Sequence, residues 1–375
     1  MKKTILLGIF ALAFAFSSAV KADISLSGYT EFFAGSVDQN IADGATNHGI
    51  DNAGMDNGTY TRLTANYSST LDNGIEVSGV MNATTRDCQG DNDDVCDVVN
   101  FNFLTFSGGF GSISIGERFA AGAAMLSRLT ASNPSSEPDG GNTGAFYTAG
   151  DGVYGGFNEV NYASNSMKVL YSSNVYSGFS FAVSYDPNTS NTGNAGTRNG
   201  QQASGATAAA NWASYNDLIS AFGKYTMDID GIGLELVYGQ QMGNAGRDVT
   251  TDYNDLDESA YSAKITYGNF AVDYRKNDAG NSGRPKNDGS GNDEGTSVCA
   301  TYTMANLGLG ACSLESTFTT ATNTENTNKM TTMSAQYDLG GGVMLAATYF
   351  DHEQDENSVV ETDADGVMTM LSIGF

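Results

Sequence analysis

The chain has 375 residues and a formal net charge of −26, from 17 lysines and arginines against 43 aspartates and glutamates. This acidity argues against a nucleic-acid partner, because binding to phosphates needs a basic surface. With 46 glycines, 19 tyrosines, 19 phenylalanines and only 16% charged residues, the composition also excludes a coiled coil, a helical bundle and plain disorder. Two histidines and four cysteines leave few ligands for a transition metal.

The first residues have the layout of a secretory signal peptide. Two lysines are followed by an apolar run that ends at Phe16, and small residues then lead to Ala22. The run is shorter than the roughly 20 residues that a membrane-spanning helix needs. We predict that residues 1–22 are removed during export and that residues 23–375 form the mature chain, which is more acidic still because it loses three lysines.

The rest of the chain repeats short segments in which apolar and polar side chains alternate. Phe181 and Val183, for example, alternate with Ser180, Ala182 and Ser184. A period of two indicates a strand whose two faces meet different surroundings. Sixteen such strands are predicted, at residues 24–33, 59–68, 75–84, 98–107, 112–119, 166–173, 178–185, 218–226, 232–240, 259–267, 270–276, 295–304, 311–319, 329–337, 343–351 and 366–375.

The connections between these strands alternate in length. Short turns are predicted at Leu71–Gly74, Gly108–Gly111, Asp228–Gly231, Gly268–Asn269 and Leu339–Gly342. Long acidic loops are predicted at 34–58, 86–97, 120–165, 186–217, 241–258, 277–294, 320–328 and 352–365. An even number of strands with short turns at one end and long loops at the other is typical of an outer-membrane barrel. The predicted fold class is therefore all-β: a 16-stranded antiparallel transmembrane β-barrel with short periplasmic turns and long extracellular loops.

Aromatic residues gather towards the two ends of the strands. Near the short turns lie Tyr67, Tyr171, Tyr225, Tyr267, Tyr337 and Phe375, and near the long loops lie Phe32, Tyr185, Tyr238, Tyr274, Phe318 and Tyr349. Two aromatic belts around an apolar band are typical of the two lipid–water interfaces. Because a barrel in lipid cannot leave an edge unpaired, strand 366–375 should pair with strand 24–33.

The sequence resembles the general porins of Gram-negative outer membranes. The resemblance comes from the signal peptide and from four stretches in the expected order: ISLSGYTEFFAG, FSGGFGSISIGERF, KVLYSSNVYSGFSFAVSYDP and the C-terminal SIGF. It implies three barrels per assembly, a location in the outer membrane among lipid and lipopolysaccharide, and a third loop folded inward into each pore. The chain departs from the pattern in its Gly/Asn-rich fourth loop and its four cysteines.

A barrel of this size has room for an aqueous channel. We expect passive diffusion of small hydrophilic solutes and ions, with weak selectivity for cations because of the negative net charge. By the resemblance, acids on loop 120–165 would face bases on the wall and form the constriction. The candidate residues are Arg62, Arg118, Lys168, Glu137, Asp139 and Asp151. Solvated surface charge on the loop and a structural ion pair at Arg62 are the alternatives.

The four cysteines suggest disulfides, since an exported protein folds in an oxidising compartment. Cys88 and Cys96 flank a short acidic loop, which favours a bridge between them. Cys299 and Cys312 flank a predicted hairpin, but the alternation leaves open whether they point to the same face. No cofactor is expected. Two acidic groups are candidates for Ca²⁺ or Mg²⁺ but lack the spacing of an EF-hand, and solubilising charge is the simpler reading. They are Asp91, Asp93 and Asp94, and Asp351, Glu353, Asp355 and Glu356.

Two other functions are compatible with an exported β-protein. One is a secreted or surface adhesin without a channel. The other is a barrel hydrolase that uses His48 or His352, but no nucleophile motif lies near either residue. The glycines at 150, 152 and 155 match a dinucleotide-binding spacing, yet no βαβ unit surrounds them. We therefore predict a channel and not an enzyme.

Overall fold

The computed structural model describes residues 23–41, 54–84, 99–127, 166–189, 215–245, 252–287, 289–319, 325–356 and 359–375. In this part of the chain, sixteen strands follow one another and form a single closed antiparallel sheet. They are β1 Asp23–Ile41, β2 Gly54–Thr70, β3 Glu76–Thr84, β4 Val99–Gly108, β5 Gly111–Glu117, β6 Met167–Ser172, β7 Phe179–Asn188, β8 Tyr215–Ile229, β9 Ile232–Ala245, β10 Leu256–Tyr267, β11 Phe270–Gly280, β12 Gly291–Met304, β13 Leu307–Thr319, β14 Glu325–Gly340, β15 Val343–Glu356 and β16 Val359–Gly374. A short helix, α1 (Ala121–Met125), follows β5. The predicted strand number and order are confirmed.

The predicted alternation of faces is visible along the strands. On β7, Val183 is 38% exposed on the outside of the barrel, whereas its neighbour Ser184 is 1% exposed on the inside. The same pattern places Ile265 outside and Ser262 inside on β10. An apolar outer face and a polar inner face are what a barrel in lipid with a wetted lumen requires.

The barrel closes between its first and last strands. β1 pairs with β16 in an antiparallel register that places Phe32 opposite Leu371. At the end of this pair, the backbone N–H of Gly28 donates to the carbonyl oxygen of Phe375 at 2.9 Å, and the N–H of Phe375 donates back to Gly28. The predicted closure is thus confirmed, and the sheet leaves no edge in lipid.

Several strands extend further at the long-loop end than the alternation predicted. The predicted loop at 352–365 is largely strand, because β15 continues to Glu356 and β16 begins at Val359. Asp351 and Asp365 lie directly opposite each other in this extension, and Asp38 of β1 lies opposite Asp365 from the other side. These outer side chains are acidic, so the apolar pattern stops while the backbone pairing continues.

Most of the predicted belt aromatics lie on the outer face. Tyr185, Tyr238, Tyr267 and Phe375 are among the exposed large side chains. Phe318 differs: it is 4% exposed and points inward, with the guanidinium carbon of Arg284 4.9 Å from its ring centre. Phe318 does lie near the long-loop end, as predicted, but it faces the lumen and does not belong to the belt that contacts lipid. Aromatic content alone does not distinguish a lipid contact from a cation–π contact.

The buried apolar side chains lie inside the barrel rather than between layers. One cluster joins α1 and the residues after it to the inner wall of strands β6–β10. Its members are Ala121, Leu126, Leu170, Ala182, Phe222, Val237 and Ala260, with Met125 packed against them. In the described ranges no helix is long and apolar enough to cross a membrane.

Candidate functional site

The segment that follows β5 turns inward and docks on the inner wall of the barrel. Three of its backbone N–H groups donate to serine hydroxyls on three different strands: Ala121 to Ser184 of β7 at 3.0 Å, Gly122 to Ser220 of β8 at 3.1 Å, and Ser127 to Ser262 of β10 at 3.1 Å. The Ser127 hydroxyl also donates to Asp273 of β11 at 3.3 Å. The third long connection thus begins by crossing the lumen side of five neighbouring strands, from β7 to β11.

Arg118 and Lys168, two of the predicted constriction residues, come together at the base of this segment. The Lys168 ammonium donates to the carbonyl oxygen of Arg118 and, at 2.6 Å, to that of Ser166. The Arg118 guanidinium carbon lies 4.7 Å from the ring centre of Phe103. Burial lowers the pKa of Arg118, which lies beyond the end of β5, to about 10. The side chain therefore keeps its positive charge at neutral pH.

The ammonium group of Lys168 is buried in the barrel wall. Its ammonium lies 3.8 Å from Asp186 of β7, and both side chains are 0% exposed. Ser166 donates a hydrogen bond to the same carboxylate. Alternation correctly places Lys168 on the inner face, but the side chain is covered and paired, so its environment is that of an anchor between β6 and β7.

Arg62 lies elsewhere on the inner wall, on β2. Its Nε donates to the hydroxyl of Tyr60 at 3.0 Å, and its guanidinium carbon lies 5.7 Å from the ring centres of both Tyr29 and Tyr60. β3 and β4 separate this strand from β5, so Arg62 does not join the Arg118 group. The two tyrosines hold the guanidinium by a hydrogen bond and by cation–π attraction.

The predicted acids of the constriction lie outside the described residues. Glu137, Asp139 and Asp151 fall between 127 and 166, where the structure gives no description. The same holds for Cys88 and Cys96 and for the acidic group Asp91, Asp93 and Asp94. These assignments therefore remain predictions.

Cys299 and Cys312 face each other across the β12–β13 pair. They are direct partners in the register, both are buried on the inner face, and a disulfide joins them with Cα atoms 4.1 Å apart. The alternation had left their relative orientation open, because it counted each strand separately and did not fix the register between them.

The second acidic group holds a lysine. Lys329 on β14 lies 2.9 Å from Oε1 of Glu353 and 3.3 Å from Oδ2 of Asp355 on β15. Across the ranges that the structure covers, no group of three or more His, Cys, Asp and Glu side chains is arranged to bind a metal ion. His352 lies buried on the inner face of β15, whereas His48 is outside the described residues.

An ion-pair group that the sequence did not single out lies on β8, β9 and β10. The ammonium groups of Lys224 and Lys264 both lie 3.4 Å from Oε1 of Glu235. Alternation along β10 places Lys264 on the inner face, but its contact with the same carboxylate as Lys224 joins residues 40 positions apart in the chain. Only the register between neighbouring strands could have revealed it.

Comparison with known proteins identifies the family. The family model for Gram-negative porins matches residues 8–357, so the chain belongs to the Gram-negative porin family. The protein is accordingly a β-barrel of the outer membrane of a Gram-negative bacterium. A search of curated protein sequences found no match.

Solved porin-like structures share the fold at low sequence identity. The outer-membrane channel DcaP of Acinetobacter baumannii is 13% identical with a TM-score of 0.63, covering 96% of this chain and 99% of that one. An anion-selective porin from Comamonas acidovorans is 14% identical with a TM-score of 0.62, covering 95% and 100%. OmpT of Vibrio cholerae in its trimer form is 13% identical with a TM-score of 0.60, covering 94% and 99%. At this identity the likeness concerns the fold.

Proposed function

We propose that the protein is a water-filled channel for the passive diffusion of small hydrophilic solutes and ions. The observation that carries this proposal is the closed sixteen-stranded sheet, whose outer face exposes large apolar side chains and whose inner face carries many polar and charged side chains beside its apolar clusters. Barrels with this number of strands leave an aqueous channel. We expect no catalytic activity and no resident cofactor, because diffusion through a pore needs neither.

Planar-bilayer recording tests the channel. Purified protein should produce discrete conductance steps at an applied voltage, whereas a surface adhesin would leave the bilayer silent. We also propose that three barrels assemble, which the trimer form of OmpT of Vibrio cholerae supports. Steps that occur in groups of three, and a complex that dissociates only on heating, would agree with this assembly.

We further infer weak selectivity for cations. The net charge of −26 and the acidic outer extension around Asp38, Asp351 and Asp365 support an attraction of cations to the mouth. The Comamonas porin of similar fold is anion-selective, so the fold alone does not decide the sign. The reversal potential in a KCl gradient measures it, and a value favouring chloride would contradict the proposal.

For the constriction, we propose that Arg62 and Arg118 face acids of the third connection. Arg62 is held in place by Tyr29 and Tyr60, and Arg118 lies where that connection begins. Glu137, Asp139 and Asp151 are the proposed acidic partners, and Lys168 contributes by anchoring the wall beneath them. A transverse field of this kind orders water and screens solutes by charge.

We also propose how the chain is processed during export and what surrounds the barrel in the outer membrane. We propose cleavage after Ala22, which would leave Asp23 as the first residue of the mature chain. Intact-mass measurement of protein from the outer membrane tests this cleavage. The outer wall is proposed to contact lipid and, at the long-loop end, lipopolysaccharide.

A further inference from the structure

A glutamate is fully enclosed on the inner face of β10, close to the long-loop end of the barrel. Glu258 is 1% exposed, and alternation along β10 places it on the same face as Ser262. On the outer face of this strand, Tyr261 is followed towards the long loops by Ser259 and Asp257. Glu258 therefore lies beyond the apolar band, in the extension of the strand towards the outer mouth.

Two amide groups from the neighbouring strands bind the carboxyl group of Glu258. Nε2 of Gln241 on β9 donates to Oε2 at 3.3 Å, and Nδ2 of Asn277 on β11 donates to Oε1 at 3.1 Å. Gln241 is 0% exposed and Asn277 is 7% exposed, so little water reaches the three side chains. Within the described ranges, no lysine, arginine or histidine forms an ion pair with Glu258. Its partners there are electrically neutral.

Two acids near Glu258 oppose a further negative charge. They are Asp278 on β11 and Asp293 on β12, and both repel an ionised carboxyl group at Glu258. Arg284, in the connection between β11 and β12, binds the second of them. Its Nε and Nη2 donate to the two carboxylate oxygens of Asp293 at 2.8 and 2.7 Å. The charge of Arg284 is thus compensated by Asp293.

The other titratable groups around Glu258 lie at the edge of this region or further down the wall. Tyr215 at the start of β8 and Asp255 just before β10 lie at the long-loop end. Ala120 of the docked segment packs with Tyr215 and Leu256 and brings no charge. The remaining charged side chains on the inner faces of β9, β10 and β11 lie at least four residues nearer the short turns, and they are Glu235, Lys264, Asp273 and Arg275.

Burial decides the charge of Glu258. It raises the pKa of this carboxyl group to about 8, and the hydrogen bonds from Asn277 and Gln241 oppose that rise only in part. A carboxylate loses its hydration in such a site, and neutral amide donors replace only some of it. At neutral pH, Glu258 is therefore mostly protonated and uncharged.

The two amides can also bind the protonated form. Among the described residues, Oε1 of Gln241 and Oδ1 of Asn277 accept no hydrogen bond, although both atoms are buried. A side-chain amide carries donors on its nitrogen and an acceptor oxygen, and a half-turn about its last bond exchanges their positions. After such a turn, either oxygen accepts the proton of Glu258, which satisfies a buried acceptor.

We propose that Glu258 is a proton-binding residue that regulates ion selectivity at the outer mouth, an inference that rests on the proposed channel function. In neutral surroundings the side chain is an uncharged acid. In alkaline surroundings it releases its proton to water and adds a negative charge to the inner wall, which favours cations in the passage.

The same ionisation should weaken the long-loop end of the barrel. The folded protein keeps the proton of Glu258 up to about pH 8, whereas the unfolded chain releases it near the ordinary pKa of 4.5. Between these two values the folded state binds one proton more than the unfolded state, so the stability falls as the pH rises. Above the higher value, Glu258 causes no further fall.

Two glutamate-to-glutamine variants test the role of Glu258. Glu258→Gln imitates the protonated acid in its size and in its lack of charge. Glu294→Gln is the matched control, because Glu294 points outward on β12, is 48% exposed and pairs with Lys276. Both variants remove one acid from the long-loop end, so they differ in the burial of the acid that is removed.

Infrared spectroscopy detects the proton directly. At about pH 6.5 ordinary carboxylates are ionised, so the carbonyl stretch of a protonated carboxyl group comes from acids with a raised pKa. The wild type and Glu294→Gln should show this band at about pH 6.5 and lose intensity by about pH 10. Glu258→Gln should lack that part of the band. A wild-type spectrum without the band, or a band that Glu258→Gln leaves unchanged, would overturn the proposal.

Reversal potentials in a KCl gradient measure the regulation. From about pH 6.5 to about pH 10, the permeability of potassium relative to chloride should rise about twofold more in the wild type and in Glu294→Gln than in Glu258→Gln, because a charge in a confined passage is only partly screened. The urea midpoint of unfolding should fall more in the wild type than in Glu258→Gln as the pH rises to about 8. Equal responses to pH in the wild type and Glu258→Gln would contradict the regulation.

The two kinds of measurement separate this inference from the proposed function. A protein that shows the infrared band but conducts no ions would overturn the channel and leave the protonated Glu258. A protein that conducts but lacks the band would overturn the inference and leave the channel. Failure of Glu258→Gln to fold would also overturn the inference, because glutamine has nearly the shape of the neutral acid.

Discussion

The backbone N–H of Ala121 donates to the hydroxyl of Ser184 across 3.0 Å, and this bond holds the third connection against the inner surface of β7. Both residues are buried, with Ser184 on the same face as Ala182. Without the hydroxyl, the N–H at the start of α1 would lose its partner where little water reaches it. A buried donor left without a partner costs about 1–3 kcal/mol.

Removing the hydroxyls of Ser184 and Ser220 should loosen the docked segment while the barrel stays intact. In the variant Ser184→Ala with Ser220→Ala, amide hydrogens of residues 121 and 122 should exchange about ten- to a hundredfold faster, which corresponds to the loss of one such bond. Exchange mass spectrometry of a peptide covering 119–127 measures this. Ser180→Ala, on the same face of β7 but nearer the short turn, is the control and should not change the rate.

The buried ion pair between Lys168 and Asp186 should matter far more than an exposed one. Asp186→Asn leaves the lysine charge without its partner at 0% exposure, which typically costs about 3–5 kcal/mol. The urea concentration at the midpoint of unfolding should fall. Unfolding is measured by the mobility shift of unheated samples on electrophoresis.

The exposed pair of Lys276 and Glu294 provides the comparison. Its side chains are 31% and 48% exposed, and such pairs contribute less than about 1 kcal/mol. Glu294→Gln should therefore leave the midpoint nearly unchanged. Equal shifts of the midpoint in Asp186→Asn and Glu294→Gln would show that burial of the Lys168–Asp186 pair does not decide how much the pair contributes to stability.

The strand number, order and closure were predictable because one physical constraint acts on every strand. Alternate side chains of a strand contact lipid and the others face the lumen. The sequence of each strand therefore predicts its two faces without knowledge of the other strands. The strand ends at the long-loop side were not predictable from the sequence. Asp351 and Asp365 lie opposite each other beyond the apolar band, yet the backbone pairing between their strands continues there. Backbone pairing does not depend on the polarity of the side chains that it carries.

This parity makes a direct prediction at two adjacent residues of β14. Ala335 faces outward and pairs with Leu309 and Ala347, whereas Gln336 faces the lumen. An arginine on the lipid face near the centre of the bilayer costs about 2–4 kcal/mol, while a lumen position tolerates charge. Ala335→Arg should therefore lower the unfolding midpoint, and Gln336→Arg should fold normally and shift ion selectivity towards anions.

Folding into lipid vesicles with urea titration measures the first effect, and the reversal potential measures the second. If the two arginines destabilised the barrel equally, the assignment of faces on β14 would be wrong. The comparison is sharp because the two positions lie at nearly the same depth and receive the same side chain.

The candidate site was predictable only in part, for reasons of register. Alternation places Lys168 and Lys264 on the inner face. It does not reveal that Lys168 is covered by Asp186, or that Lys264 shares Glu235 with Lys224. Such contacts join strands that are adjacent in the barrel and separated in the chain. These contacts form only when the strands pair in the right register, and that register is set by the turns and by the closure of the barrel.

Register also decides the pairing of Cys299 and Cys312. Because the two residues are direct partners on the same inner face, we expect their disulfide in protein from the outer membrane. Alkylation without prior reduction should leave both residues unlabelled, and alkylation after reduction should label both. Peptide mass spectrometry should recover the two positions in one linked species, and labelling of either residue in the unreduced protein would contradict the pairing.

The disulfide should add to stability without being needed for folding. The ladder from Gly291 to Met304 already holds β12 against β13, so Cys299→Ser with Cys312→Ser should still give a heat-modifiable barrel. The bridge spans a sequence separation of 13, for which restricting the unfolded chain contributes up to about 3 kcal/mol. The urea midpoint should fall accordingly, and treating the Cys88→Ser, Cys96→Ser variant with reductant should reproduce the fall. Cys88→Ser with Cys96→Ser is the control, since reductant should still lower its midpoint through the remaining bridge.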